Sequence, residues 1–386
     1  FSNESTLESI AEVEGFDDRD YVQVASRAFQ SLRVQDDEGD EPYILPEIEA
    51  ETYVQENLAG GRFRFGLQGF ALDRDDGADS ARLSAEADWR RSLILPAGQL
   101  LTATAKMRVD GFMVGNYENS DGEEFTFRAK PSLALDWRWP FVKSMEDAQI
   151  YVEPMVTGVI APYGSDGSDV PNEDSLGLAL DETLLFAHER YFGIDRSESG
   201  PRLAYGGRAG YIGERGQADI SFGQAYRWNT DESYEDGSGL EDVFSDYVLS
   251  ARLRPSRYVD VRYSGRFDRD DLQPLRQSVN ASVGAPIFRL NGSYTHIDGE
   301  AQTTGFSDRA EVSAGFSSSF ADYWSVSAAW RRDIEENLDL TYNVGLSYVD
   351  ECFGLYLDYK RENFRDREIE PNNSFTLRIT FENLGE

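Results

Sequence analysis

The sequence predicts an all-β protein, a transmembrane antiparallel β-barrel. Three observations carry that expectation: period-2 alternation over segments of membrane-spanning length, tight turns that alternate with longer acidic loops, and no run of ~18 apolar residues able to form a spanning helix. The mean hydropathy of -0.53 fits such a barrel, because lipid-facing and lumen-facing residues average to a polar value. A length of 386 residues suits two or three ordinary domains or one large barrel.

The alternation is clearest towards the C-terminus. Leu338, Leu340, Tyr342, Val344, Leu346 and Tyr348 share one face, with Asp339, Thr341, Asn343, Gly345 and Ser347 on the other. Phe353, Leu355, Leu357 and Tyr359 oppose Gly354, Tyr356, Asp358 and Lys360. Trp324, Val326, Ala328 and Trp330 alternate with Tyr323, Ser325, Ser327 and Arg331; Val259, Val261, Tyr263 and Phe267 alternate with Asp260, Arg262, Ser264 and Arg266. A soluble sandwich would show the same period, usually in shorter strands. Segments near the ~9–11 residues of a tilted membrane-spanning strand favour the barrel.

The connections decide between the two. Tight ones fall at 350–352, 318–322, 284–286, 254–257, 213–217, 95–98 and 59–62. Longer, acidic ones fall between them, at 365–373, 333–337, 298–304, 268–273, 229–245, 163–200, 115–124, 73–79 and 36–41. Short turns on one side and long loops on the other mark an outer-membrane barrel with its turns in the periplasm. The C-terminus is therefore expected in the periplasm, after a closing strand at 375–381. The count is about nineteen strand candidates, the weakest at 5–16. Bacterial barrels normally close with an even number, so a truncated N-terminus is expected.

Lys and Arg number 37 against 71 Asp and Glu, a net charge of -34. That balance excludes a nucleic-acid partner, whose phosphates need clustered cations. The excess acid belongs mainly to the rim of long loops, where no spaced-ligand calcium pattern occurs. His188 and His296 are the only histidines. Neither sits in a metal-spaced pair and no Gly-x-Ser-x-Gly elbow exists, so the sequence is read as non-enzymatic, with no cofactor. Cys352, the single cysteine, falls in a tight turn.

One connection is exceptional. Residues 163–206 carry Val170-Pro171-Asn172-Glu173-Asp174-Ser175, then Leu184-Leu185-Phe186, then Arg190, Gly193, Asp195-Arg196, Arg202, Tyr205 and Gly206. Structureless loops beyond about 12–15 residues are uncommon unless functional. The apolar anchors Pro171, Leu184, Leu185 and Phe186 predict a loop that folds inward over the lumen. Asp195, Arg196 and Arg202 are expected to pair with each other or with whatever fills the lumen.

These residues carry a family resemblance. Val170 to Ser175, Leu184 to Phe186 and Arg190-x-x-Gly193-x-Asp195-Arg196-x-Glu198-x-Gly200-x-Arg202-x-x-Tyr205-Gly206 resemble the lipopolysaccharide-assembly LptD family, most of all its alphaproteobacterial versions. Asp350-Glu351-Cys352-Phe353, Tyr359, Arg361, Ile369-x-Pro371 and Ser374-Phe375-x-Leu377-Arg378 are similar to its closing hairpin. Asp17-Asp18-Arg19-Asp20-Tyr21 with Leu45-Pro46-Glu47-Ile48 is similar to the middle of its barrel domain.

The resemblance implies that residues 1–386 are the C-terminal portion of a plugged barrel of about 26 strands in the cell outer membrane, within the known bacterial range. Such a barrel receives lipopolysaccharide from the periplasm and releases it into the outer leaflet through a lateral opening. Implied partners are an LptE-like lipoprotein plug, an LptA-like periplasmic bridge acting through an upstream jelly-roll domain, lipopolysaccharide and outer-membrane lipid. Cys352 would bond to that upstream domain; some relatives have two adjacent cysteines at this turn. Phe375, Leu377, Ile379 and Phe381 would lie on the strand forming one wall of the opening. Luminal Arg262, Arg266 and Arg331, with Arg289 and Lys360, suit phosphate contacts; structural ion pairs with luminal carboxylates are the commoner fate of such groups. The competing reading is a porin-like solute channel.

Overall fold

The computed structural model describes residues 6–381 except 35, 37, 55–57, 117–123, 165–169, 178, 215, 231–233, 300–307 and 366–369. Ser5 and Ile369 of the sequence reading, and the middles of several long loops, lie outside the described residues. The chain forms a transmembrane antiparallel β-barrel wall: one 20-stranded sheet in which each strand pairs with its neighbours in sequence.

The sheet starts with Thr6–Asp17, Asp20–Ser31, Tyr43–Tyr53, Arg62–Asp73, Asp79–Ile94 and Leu100–Gly115. Glu124–Arg138 and Phe141–Ser144 follow, broken at Trp139-Pro140, and both pair with Ala148–Ile160. Proline cannot donate to the ladder, so one spanning strand reads as two. Arg202–Gly213, Gly216–Arg227, Tyr247–Ser256, Val259–Phe267, Pro274–Ala285 and Phe288–Ile297 continue the wall. Arg309–Phe320, Trp324–Asp333, Leu338–Val349, Phe353–Glu362 and Asn372–Phe381 complete it. Among the described residues, twenty strands, two of them halves of one crossing, make nineteen crossings. This agrees with the count read from sequence and supplies two turns it lacked, at 18–19 and 145–147. Because nineteen is odd, the two edge strands, Thr6–Asp17 and Asn372–Phe381, run in the same direction.

Register confirms the two faces. Across the last strands, Val326, Leu346, Leu357 and Leu377 stand in line, as do Ala328, Val344, Tyr359 and Phe375. These residues form the outer face, and Phe375, Leu377, Ile379 and Phe381 are each more than half exposed there. The inner rows are small and polar. Ser293 bonds Ser313 at 2.6 Å, Ser325 bonds Ser347 at 2.6 Å and Ser221 bonds Ser250 at 2.7 Å. Cross-strand hydroxyl pairs satisfy one another and leave room in the lumen.

The outward and inward rows differ in what they tolerate. Val344→Arg, in the middle of a lipid-facing row, should cost roughly 2–4 kcal/mol. Asn343→Asp, one residue away but facing Lys360 across the lumen side, should stay within about 0.5 kcal/mol. Denaturant unfolding in lipid vesicles checks both; equal costs would contradict this assignment of faces.

Candidate functional site

The long connection 161–201 enters the barrel and packs against the inner wall. Its backbone is organised by two motifs clasping each other. The Asp174 carboxylate accepts from Ile194 N and Asp195 N at 3.0 Å each, while Asp195 Oδ2 accepts from Glu173 N at 2.8 Å and Asp174 N at 3.1 Å. Arg196 N donates to Ser175 Oγ at 2.8 Å and Arg196 Nη1 to the Val170 carbonyl at 3.1 Å. The segments Leu176–Gly177 and Tyr191–Phe192 add a two-residue ladder. Gly193 has φ +89°, and a Cβ there would sit 2.3 Å from the Asp174 carbonyl oxygen, so this crossing demands glycine.

Wall arginines hold the clasp. Arg82 Nη1 reaches Asp195 at 2.5 Å and Asp174 at 2.8 Å. Arg128 donates to the Asp195 carbonyl at 2.7 Å, Arg108 donates to the Ile194 carbonyl at 3.1 Å, and Arg74 grips Glu173 with both Nη atoms at 2.9 and 2.6 Å. Each comes from an inward position of strands Arg62–Asp73, Asp79–Ile94, Leu100–Gly115 and Glu124–Arg138 or the end of one. Charge-assisted bonds of this kind are roughly twice as strong as neutral ones.

A second centre lies deeper. The Glu198 side chain is fully buried and meets Arg190 at 2.5 Å, Arg202 Nε at 3.1 Å and Arg227. Arg190 also donates to the Leu184 and Leu185 carbonyls at 3.2 and 3.1 Å, so the ion pair fixes the apolar turn. That turn delivers Leu184 and Leu185 into a cluster with Leu180, Tyr191, Ala204, Ala225, Tyr234, Leu240 and Val248, with Phe186 at its margin. Small wall residues make the space. A Cβ on Gly223 would lie 2.5 Å from Leu185 Cδ2.

The loop 228–246 was not foreseen as a partner and is the other half of the insertion. Leu180 N donates to the Ser238 carbonyl at 2.8 Å, and the Tyr234 ring stacks on Tyr191 with centroids 5.0 Å apart. Arg266 donates to the Ser238 and Gly237 carbonyls at 2.6 and 2.7 Å and approaches Asp246 at 3.4 Å. Burial pushes the Asp246 carboxyl from 3.8 up to about 6, against the pull of Arg266.

The remaining sequence candidates scatter. Pro171 is buried and Asn172 caps its own turn through Ser175 N at 2.9 Å. Tyr205 points its hydroxyl at Gln224, 2.5 Å away. Asp195 and Arg202 are held by Arg82 and Glu198, not by each other. Arg262, which contacts Asp260 on its own strand at 3.3 Å, and Arg331 line one cavity of about 1590 Å³ in the second half of the lumen, with Arg254, Arg257, Arg289 and Lys360 and a serine- and asparagine-rich wall. Cys352 is exposed in the turn between Leu338–Val349 and Phe353–Glu362, where Asp350 accepts from Cys352 N at 2.8 Å. Sequence reasoning missed Arg74, Arg82, Arg108 and Arg128; their one signal was a charged residue recurring at inward positions.

The family described as LPS transport system D, LptD, matches residues 1–324. The chain belongs to the LptD family. Among curated relatives, the LPS-assembly protein LptD of Vibrio vulnificus is 22% identical over 373 residues, covering 86% of this chain and 46% of the relative. That of Escherichia coli K12 is 24% identical over 326 residues, covering 76% of this chain and 41% of the relative. That of Pectobacterium atrosepticum is 22% identical, covering 67% and 36%. The chain therefore spans less than half the length of these LptD relatives. In fold it is similar to the siderophore receptor PirA from Pseudomonas aeruginosa, with a TM-score of 0.50 at 10% identity over 97% of this chain and 75% of that one. That likeness shows an outer-membrane β-barrel fold. The clasp residues 170–198 lie within the stretch matched to LptD, whereas Cys352 and the last strand lie beyond it.

Two outcomes follow from the buried charges. Glu198→Gln leaves three guanidiniums around a neutral group and should cost about 3–5 kcal/mol. The loss should appear as faster amide exchange across 184–202, with the barrel ladder unchanged; unaltered exchange would deny Glu198 its central place. Asp246 has a raised pKa, so its contribution to stability is complete below the ordinary carboxylate value and is lost as pH rises through about 6. Amides of 234–246, corrected for intrinsic rates, should be better protected at pH 5 than at pH 7.5.

Proposed function

We propose that this chain forms the export half of a lipopolysaccharide-assembly barrel. It would pass lipopolysaccharide from the periplasmic side into the outer leaflet, without covalent chemistry. The observation that carries the reading is the LptD match over residues 1–324, together with a clasped loop that occupies one half of the lumen. In this reading the tight-turn end and the C-terminus are periplasmic, and the inserted loop closes the outer mouth. Short periplasmic turns and longer external loops are the rule for such barrels.

The unfilled half of the lumen, with its polar wall and about 1590 Å³ of space, suits an LptE-like lipoprotein plug and the sugar portion of the substrate. Phe375, Leu377, Ile379 and Phe381 present an apolar outer row on an edge strand. A lateral opening needs an edge whose pairing is weaker than that of other seams, since unpaired backbone groups in lipid cost several kcal/mol each. Cys352, exposed in a tight turn, would bond an upstream periplasmic domain, through which an LptA-like bridge would deliver substrate. The periplasm permits such a disulfide.

The deciding experiment removes residues 170–190 from the full-length protein. The expected result is reduced recovery of LptE with the barrel, less lipopolysaccharide at the cell surface and greater permeability to large antibiotics. Normal surface lipopolysaccharide with an intact permeability barrier would refute the lid. A large steady conductance from the wild-type barrel freed of its plug partner would favour a solute channel instead.

A further inference from the structure

Two further cavities adjoin at the inserted loop. One, of about 390 Å³, lies between the loop and the wall. The other, of about 690 Å³, lies towards the tight-turn end, bordered by Arg19, Tyr53 and Arg62. Three residues border both spaces: Asp88, Thr104 and His188. Asp88 and Thr104 belong to the adjacent wall strands Asp79–Ile94 and Leu100–Gly115, whereas His188 comes from the loop.

The wall side of this junction is stiff. Both wall residues sit in one paired ladder, and Asp88 accepts from Arg64 Nε at 3.0 Å, with Arg64 also anchored to Glu51 at 2.8 Å. The main chain of the loop is equally fixed here. The His188 carbonyl accepts from Arg202 Nη2, Ala187 N donates to the Leu184 carbonyl at 3.0 Å, and Glu189 Oε1 accepts from Glu198 N at 2.8 Å. The His188 ring differs. It is 34% exposed, and among the described residues its one polar contact runs from Nε2 to Asp136 Oδ2, at 2.9 Å.

An ionised carboxylate only accepts, so Nε2 carries the proton and donates. Asp136 lies on the inward row of Glu124–Arg138, opposite Thr157, whose hydroxyl donates to Asp136 Oδ1 at 2.8 Å. One carboxylate oxygen is thus tied to the wall and the other holds the loop. With its main chain pinned and one bond to break, the imidazole can change rotamer while the loop stays in place. Such a step belongs to the fast motions of side chains and not to the slower ones of loops.

We propose that His188 is the movable leaf of an internal gate between these two cavities, latched by Asp136. Latched, the ring stands between the spaces beside Asp88 and Thr104. Released, it joins them into one route for water and small solutes along the wall beneath the loop. Thr104 Oγ1, buried without a hydrogen-bond partner among the described residues, is the hydroxyl such a solute would meet at the junction. The gate does not depend on which substrate the barrel exports, and the transport reading keeps its own test.

Ser132→Cys, on the wall of the smaller cavity, supplies a reporter in the full-length protein. Its rate of modification by a small methanethiosulfonate is read by mass spectrometry on its own peptide, apart from Cys352. His188→Ala should raise that rate about tenfold or more, the effect of losing one hydrogen bond to a charged group. His188→Gln, which keeps a donor, should stay close to the parent. Asp136→Ala should match His188→Ala, and the double variant should be no faster than either, because the pair acts as one unit. Asn343→Cys, in the larger cavity, should react equally fast with and without His188→Ala. Amide exchange across 184–198 should be the same in every variant. Unchanged labelling of Ser132→Cys in His188→Ala, or multiplied effects in the double variant, overturns the gate. So does faster exchange across the whole loop, which would make His188 a structural tie.

Discussion

A carboxylate removed from water costs several kcal/mol unless cations and N–H groups take the place of the solvent. The inserted loop carries two such groups, Asp195 and Glu198, whose side chains are at most 2% exposed. Asp195 is satisfied by Arg82 and by backbone amides of the motif it clasps. Glu198 is satisfied by Arg190, Arg202 and Arg227. Two of these arginines belong to wall strands and one to the loop, so neither loop nor wall is electrostatically complete alone. The apolar contacts of Leu180, Leu184, Leu185 and Leu240 follow from that arrangement. Arg190 fixes the turn that presents two of them.

The consequence is a lumen with two characters. Strands from Arg62–Asp73 to Gly216–Arg227 face a folded insertion, and most of the buried residues lie in these strands or in the loops packed on them. Strands from Val259–Phe267 onwards face serine, asparagine, glycine and a few cations around open space. An interior this polar cannot hold a loop by the hydrophobic effect alone, and the inserted segment meets it with hydrogen bonds and paired charge. The open half has no such complement among the described residues, and there its small side chains keep the passage wide.

Much of the wall was legible in the sequence. Period 2 places Leu346 outside and Asn343 inside regardless of what surrounds them, and the rhythm of turns gives the nineteen crossings. The inserted loop was legible as a loop with anchors, because Pro171, Leu184, Leu185 and Phe186 are out of place in an exposed connection. Its partners were not. Arg266 reads in sequence as a luminal cation free to meet a phosphate, whereas it is spent on the carbonyls of Gly237 and Ser238. Arg82 reads as one more inward charge, yet it bridges Asp174 and Asp195 across about a hundred residues of chain.

By itself the sequence determined which residues face lipid, how many times the chain crosses, and which connection is unlike the others. Those properties are local, since strand geometry sends alternate side chains to opposite faces wherever the strand lies. Only the tertiary structure decided which arginine meets which carboxylate and that 228–246 locks over 161–201. Those depend on residues far apart in sequence arriving within ~3 Å of each other. The curvature of the wall and the path of the loop set that distance, and no repeat in the sequence encodes it.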